Sequence, residues 1–274
     1  MNRISLYDQI HYSFTKNKRT EDFYRGVYEK IRARFYDRRT DTLKVGSLTL
    51  PMLSHSAKPT REEVYYAMEI VDILYPGLFG RYHYSDEGPY EWGSVEIRPG
   101  ANVFDCGANL GIFSVFAAWK GANVYAFEPI GEARKILYQT ISLNPGLPGK
   151  IHVEPYAVGK EEGTAEFTIL DGTLVGSSMV LQQQGRHEHV QMTTIDAFCE
   201  KNSVHCDFIK ADIEGAERLM LEGAQHTLKN DAPMLSVCTY HLPDDPDVLK
   251  NLVRCANPGY VFVEKWKKFY AVCR

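Results

Sequence analysis

The residues best suited to chemistry gather in one stretch, Val103-Phe104-Asp105-Cys106-Gly107-Ala108-Asn109-Leu110-Gly111. An acid and two glycines stand there between an apolar run that reads as a strand and one that reads as a helix. Gly107 lets the chain turn tightly and approach a ligand with no Cβ in the way. Gly111 opens the helix, whose free N–H groups and partial positive charge face the same crevice. A dinucleotide fingerprint reads G-x-G-x-x-G, so that a pyrophosphate rests on the helix end. Here the spacing is D-x-G-x-x-x-G, with Ala108 and Asn109 where a second glycine would fall. Asp105 would repel a pyrophosphate and suits a ligand carrying an amine or a sulfonium. Glu128, 17 residues after Gly111, can accept hydrogen bonds from both hydroxyls of a ribose, and Pro129 ends its strand sharply. Acid, glycine loop and second acid together read as an S-adenosylmethionine site.

A second group is Lys210-Ala211-Asp212-Ile213-Glu214, at the end of another expected strand over the same cleft. Methyl transfer is an in-line displacement at an activated sulfonium carbon. It needs an aligned nucleophile and, for an alcohol, a base. Three readings compete for the two acids. One is the general base, or both ligate a divalent cation that orients acceptor hydroxyls, or Glu214 caps the following helix. His241 follows the next strand onto the same rim and is the leading base candidate, its basicity raised by a carboxylate such as Asp212. Lys210 orients substrate or pairs with Glu214. His187-Glu188-His189 looks metal-like but shows no third ligand, so a solvated loop is expected and no metal site is assigned. Tyr82, His83, Tyr84, Tyr90 and Trp92 suit stacking on a sugar face, although joining the N-terminal helices to the sheet is the expected use. Ser177 and Ser178 could reach the cleft from the excursion expected at 161–195, but nothing in the sequence requires it.

These side chains need an alternating frame to bring them together. After residue 98, strands are expected at 103–104, 123–127, 153–158, 208–211 and 234–240. Helices are expected at 112–120, 132–143, 216–228 and 246–255, and a closing antiparallel hairpin at 260–263 and 269–272. Near-continuously apolar strands alternating with helices imply an α/β fold with a doubly wound, mostly parallel sheet. The stretch 161–195 breaks the rhythm and is expected to form an antiparallel excursion. Before residue 98 the pattern is helical: Phe23, Val27, Ile31 and Phe35 share one face. Thr60 and Glu63 have capping-box spacing ahead of Val64, Ala67, Met68 and Val71. The chain thus divides into a mainly helical accessory region, 1–97, and a cofactor-binding domain, 98–274. The N-terminal helices are expected to shape the acceptor site or a dimer contact.

Composition sets the outer bounds. The chain has 274 residues and a net charge of −4. Residues 1–40 carry ten Lys/Arg against five Asp/Glu, a surplus of +5 that leaves −9 on the remainder. An acidic body argues against a nucleic-acid partner. No apolar run approaches the ~20 residues of a membrane span, and the N-terminus shows no secretory h-region. Six cysteines without a C-x-x-C pair fit reduced thiols in a cytoplasmic protein.

The motifs VFDCGANLGIFSVFAA (103–118), YAFEP (125–129), TTIDAF (193–198), FIKADIEGAE (208–217) and SVCTYH (236–241) resemble the FkbM family of class I S-adenosylmethionine-dependent methyltransferases, in order and spacing. The resemblance covers roughly residues 98–255. It implies a Rossmann-like fold and O-methylation of a hydroxyl on a sugar, glycan or secondary metabolite. By motif position, Asp105, Gly107, Asn109 and Gly111 would hold the methionine part of the cofactor and Glu128 with Pro129 the ribose. Ala157 and Val158 would line the adenine, although Val158 could equally be core. The rival readings are a nicotinamide-dependent oxidoreductase, which needs the missing loop glycine, and an inactive nucleoside-binding module. A nucleic-acid methyltransferase would be expected to carry an N-P-P-Y-like string where this chain has A-D-I-E.

Overall fold

The computed structural model describes residues 18–55, 59–76, 88–169, 179–180 and 185–274. Tyr82, His83, Tyr84, Ser177 and Ser178 lie outside the described residues.

A seven-stranded sheet forms the centre. Its parallel strands are β4 (Asn102–Cys106), β5 (Asn123–Phe127), β6 (Lys150–Glu154), β10 (Phe208–Ala211) and β11 (Met234–Cys238). The hairpin β12 (Tyr260–Lys265) and β13 (Lys268–Cys273) joins antiparallel to β11, giving the order β12-β13-β11-β10-β4-β5-β6. The strand order reverses between β4 and β10, and ligands bind at such a point, at the strands' carboxyl ends. The helices α3 (Ile112–Trp119) and α4 (Gly131–Ser142) connect β4 to β5 and β5 to β6. The expected strand at 153–158 is two strands: Pro155 cannot donate to a ladder, and the chain leaves the central sheet there. Beyond it, β7 (Ala157–Val158) pairs with β9 (Arg186–Thr193), which pairs antiparallel with β8 (Gly163–Ile169). The expected excursion is therefore present. His187-Glu188-His189 sits on strand β9 of it rather than in a loop.

Helix α5 (Ile195–Asn202) follows β9. The single helix expected at 216–228 is two, α6 (Glu217–Glu222) and α7 (Gln225–Asn230), divided at Gly223. A Cβ on Gly223 would stand 2.2 Å from the carbonyl oxygen of Gly159. Helix α8 (Asp245–Ala256) precedes the hairpin.

The region before residue 98 is less helical than its periodicity predicts. Helix α1 (Lys18–Phe35) buries Val27, Ile31 and Phe35 as expected. A three-stranded sheet then follows: β1 (Tyr36–Asp37), β2 (Thr42–Val45) and β3 (Leu48–Pro51). Leu43, Val45, Leu48 and Leu50 are buried at alternate positions on either side of a tight turn at Gly46-Ser47. That period of two was a readable hairpin signal. Helix α2 (Arg61–Glu69) starts on the capping box: Glu63 N–H donates to Thr60 Oγ1, and Thr60 N–H to Glu63 Oε2 at 2.8 Å. It runs on as one π-helical stretch, Ile70–Leu74, all of it buried. This region shares a core with the sheet domain, so residue 97 marks no gap in packing. Asn144, at the end of α4, accepts from Thr49 N–H at 2.8 Å and donates to its carbonyl at 2.6 Å. Among the described residues no helix is long and apolar enough to cross a membrane.

Candidate active site

Four chain segments meet where the parallel strands end: the loop after β4, Glu128 after β5, the Asp212–Glu217 turn after β10, and Tyr240-His241 after β11. Parallel register makes this meeting possible. Asp105 on β4 faces Lys210 on β10, and Cys106 faces Ala211.

Asp105 is completely buried. Its carboxylate accepts from Ser114 Oγ at 2.5 Å and lies 3.0 Å from Lys210 Nζ. It therefore does not face the crevice as the sequence led us to expect. Lys210 pairs with Asp105 instead of Glu214, and its ammonium also donates to the carbonyls of Cys106 and Gly107. Burial opposes its charge, but Asp105 and Asp212 outweigh that and hold its pKa above the ordinary lysine value. This ion pair fixes the glycine loop from beneath.

The loop itself is tight. Gly107 has φ +78°, and a Cβ there would stand 2.1 Å from the carbonyl oxygen of Asp212. The glycine is thus required by the approach of the β10 turn as well as by the bend. The N–H groups of Gly107 and Ala108 both donate to Phe127 O. Asn109 is left-handed at φ +49°, uncommon outside glycine, and its N–H donates to Glu128 Oε2 at 2.9 Å. Glu128 Oε1 accepts from Ile130 N–H at 2.8 Å across Pro129. Burial lifts the Glu128 carboxyl to about 6, against the pull of those two N–H donors.

The acceptors left on Glu128 fit the ribose of S-adenosylmethionine. An ionised carboxylate offers about four lone-pair sites. Two on Glu128 hold the backbone, which leaves two for a pair of ribose hydroxyls. Ala157 packs with Ile130 and Ala133 beside that turn, and Val158 with Phe127 and Ile195. Both are buried. Gly111, at φ +86°, caps α3 and touches Leu137 rather than the crevice.

On the other side of the loop, Asp212 accepts from Tyr90 Oη at 2.7 Å and Tyr240 Oη at 3.1 Å. Burial pushes its pKa up, but His241, Lys210 and Lys268 pull it further down, to about 2. Glu214 adopts φ +53° ahead of Gly215, a conformation that costs energy for a residue with a side chain. Burial raises its pKa, partly offset by His241. His241 is wholly buried. Its Nε2 lies 3.4 Å from Glu214 Oε2 and 3.7 Å from Asp212 Oδ1, and its Nδ1 lies 3.1 Å from Glu217 Oε1. Burial disfavours its charge, yet Glu217 and Glu214 hold its pKa well above the ordinary histidine value. A ring between three carboxylates is poorly placed to take a proton from an acceptor.

Glu217, the last residue of the FIKADIEGAE motif, was given no role by the sequence. It is fully buried, and Ile213 N–H donates to its Oε1 at 2.8 Å. It closes the turn that Glu214 was expected to cap. An acid three residues after Glu214, just before an apolar helical run, was the available signal.

Comparison with known proteins agrees with this geometry. A model of the methyltransferase FkbM domain matches residues 105–262. The 31-O-demethyl-FK506 methyltransferase FkbM of Streptomyces tacrolimicus is 27% identical in a 164-residue alignment that covers 48% of this chain and 62% of that protein. The methyltransferase FkbM structure from Methylobacillus flagellatus KT superposes with a TM-score of 0.52 at 17% identity, over 90% of this chain and 58% of that one. The chain thus spans about six-tenths of the length of each. With the match covering more than half of its residues, the chain belongs to the FkbM methyltransferase family, a family of S-adenosylmethionine-dependent enzymes with the class I fold.

Proposed function

We propose that this chain transfers a methyl group from S-adenosylmethionine to a hydroxyl of a sugar, glycan or other small hydroxylated metabolite. The observation that carries this reading is the row of carboxylates, Asp212, Glu214 and Glu217, one loop away from Glu128 and the glycine turn. The name of the Streptomyces relative, a 31-O-demethyl-FK506 methyltransferase, also points to an oxygen acceptor. When bound, the cofactor supplies a methyl carbon already activated by its sulfonium. The chain must do the rest.

Glu128 binds the ribose, and Asn109 orients that carboxylate through its N–H. The glycine loop, fixed by Lys210, sets where the methionine end lies. Asp212, held by two tyrosine hydroxyls, orients the acceptor. Glu214 is the base of choice. Burial raises its pKa while His241, Lys210 and Lys268 lower that of Asp212, and proton acceptance is more efficient from the stronger base. With the cofactor bound, its sulfonium would be the leaving group for attack by the acceptor oxygen, and Glu214 would take the hydroxyl proton. His241 positions Glu214 and Asp212 from behind.

Calorimetry with S-adenosylhomocysteine and with NADH tests the cofactor. Binding of NADH alone would overturn it. Methyl transfer from labelled donor to hydroxylated acceptors and matched amines tests the acceptor class, and transfer only to amines would overturn that. Glu214→Gln is expected to lower kcat by about 10²–10⁴-fold with product affinity unchanged, the range for a lost base.

A further inference from the structure

Asp212, Glu217 and His241 lie at metal-ligand spacing. One donor atom from each is within 4.8 Å of the other two. They come from three places that the fold brings together: the end of β10, the start of α6 and the residues after β11. Ligands bonded at about 2.1 Å to one ion stand about 3–3.4 Å apart, so modest side-chain movement closes the set. His241 turns a different nitrogen to each acid, Nε2 at 3.7 Å from Asp212 and Nδ1 at 3.1 Å from Glu217, so one of the two is the ligand and the ring must shift toward the other carboxylate.

A second observation concerns Glu217. The side chain is fully buried, one oxygen serves Ile213 N–H and the His241 ring, and the other accepts no hydrogen bond. A buried carboxylate oxygen without a donor is costly unless a cation satisfies it. Charge points the same way. Three carboxylates surround one imidazole, while the nearest lysines are engaged: Lys210 with Asp105, and Lys268 with the Gly88 carbonyl. Asp212 and Glu214 are 21% and 16% exposed, which leaves an approach from the crevice.

We propose that Asp212, Glu217 and His241 bind a divalent transition cation at the acceptor side of the crevice. Mixed carboxylate and imidazole donors suit the manganese, iron and zinc ions. Resting on the methyltransfer reading, the ion takes the acceptor hydroxyl as a further ligand. It lowers the barrier to that proton leaving for Glu214, as metal-bound oxygens ionise more readily.

Chelator-treated full-length protein is titrated with MnCl2 and followed by the spin-resonance signal of the free ion. One Mn2+ per chain is expected, displaced by ZnCl2. Asp212→Asn and Glu217→Gln are each expected to weaken binding at least tenfold, on the order of the effects seen around metal sites. Glutamine can still accept from Ile213 N–H, and thermal melting of both variants checks folding. The proposal is overturned if Mn2+ shows no binding up to about 1 mM, the weak limit for protein cation sites, or if both folded variants bind as tightly as the parent. S-adenosylhomocysteine is titrated in parallel. Its failure to bind would sink the methyl-donor reading and leave the manganese result to be judged by itself.

Discussion

Lys210 and Asp105 show how much a single buried contact decides. The pair lies across adjacent strands with almost no exposure, and removing one partner strands a charge in the core. Lys210→Met is expected to cost about 3–5 kcal/mol in denaturant unfolding, with much of that restored in Lys210→Met/Asp105→Asn. Glu128 is a different case, because its buried carboxyl titrates near pH 6. Only the ionised form can accept from both ribose hydroxyls. Product affinity is therefore expected to be flat above about pH 7 and to fall up to about tenfold per unit as pH drops below 6. Glu128→Gln should flatten that profile and weaken binding at pH 7.5, both read by calorimetry. These partners were only half legible beforehand. The chain announces Asp105, Lys210 and Glu128 as polar residues in apolar surroundings, but which charge meets which is set by strand order.

At the scale of elements, the turns after β4 and β10 constrain each other. Gly107 and Gly100 both have positive φ, but only Gly107 meets a neighbour where a Cβ would stand. Gly100→Ala is expected to lose about 1–2 kcal/mol, the cost of a left-handed side-chain residue. Gly107→Ala should lose more than that and also weaken S-adenosylhomocysteine binding, since the Asp212 carbonyl must move. Helix α2 offers a milder test. Thr60→Ala removes half of the capping box and is expected to cost about 1 kcal/mol in thermal or denaturant unfolding. The box was readable because its two residues are three apart in sequence. The two-part helix at 217–230 was not, because Gly223 is dictated by a carbonyl 64 residues earlier.

For the whole molecule, the region before residue 98 is part of the site's construction. Tyr90 reaches across to Asp212, while Tyr270 and Lys268 of the closing hairpin bond the carbonyls of Pro89 and Gly88. Tyr90→Phe is expected to lower kcat several-fold while leaving product affinity unchanged, because it loosens the acceptor side alone. Methyl-transfer kinetics beside calorimetry separate the two effects.

What the sequence determined by itself is local and periodic. It set the strand–glycine loop–helix unit, the acid that ends the next strand, the capping box and the alternation that specifies a parallel sheet. Each depends on residues a few positions apart, where backbone geometry leaves few choices. Tertiary structure alone decided that Lys210 pairs with Asp105, that Glu217 stands against His241, and that Tyr90 holds Asp212. Those contacts join residues more than 20 positions apart, and in a close-packed interior their geometry follows from how the elements stack.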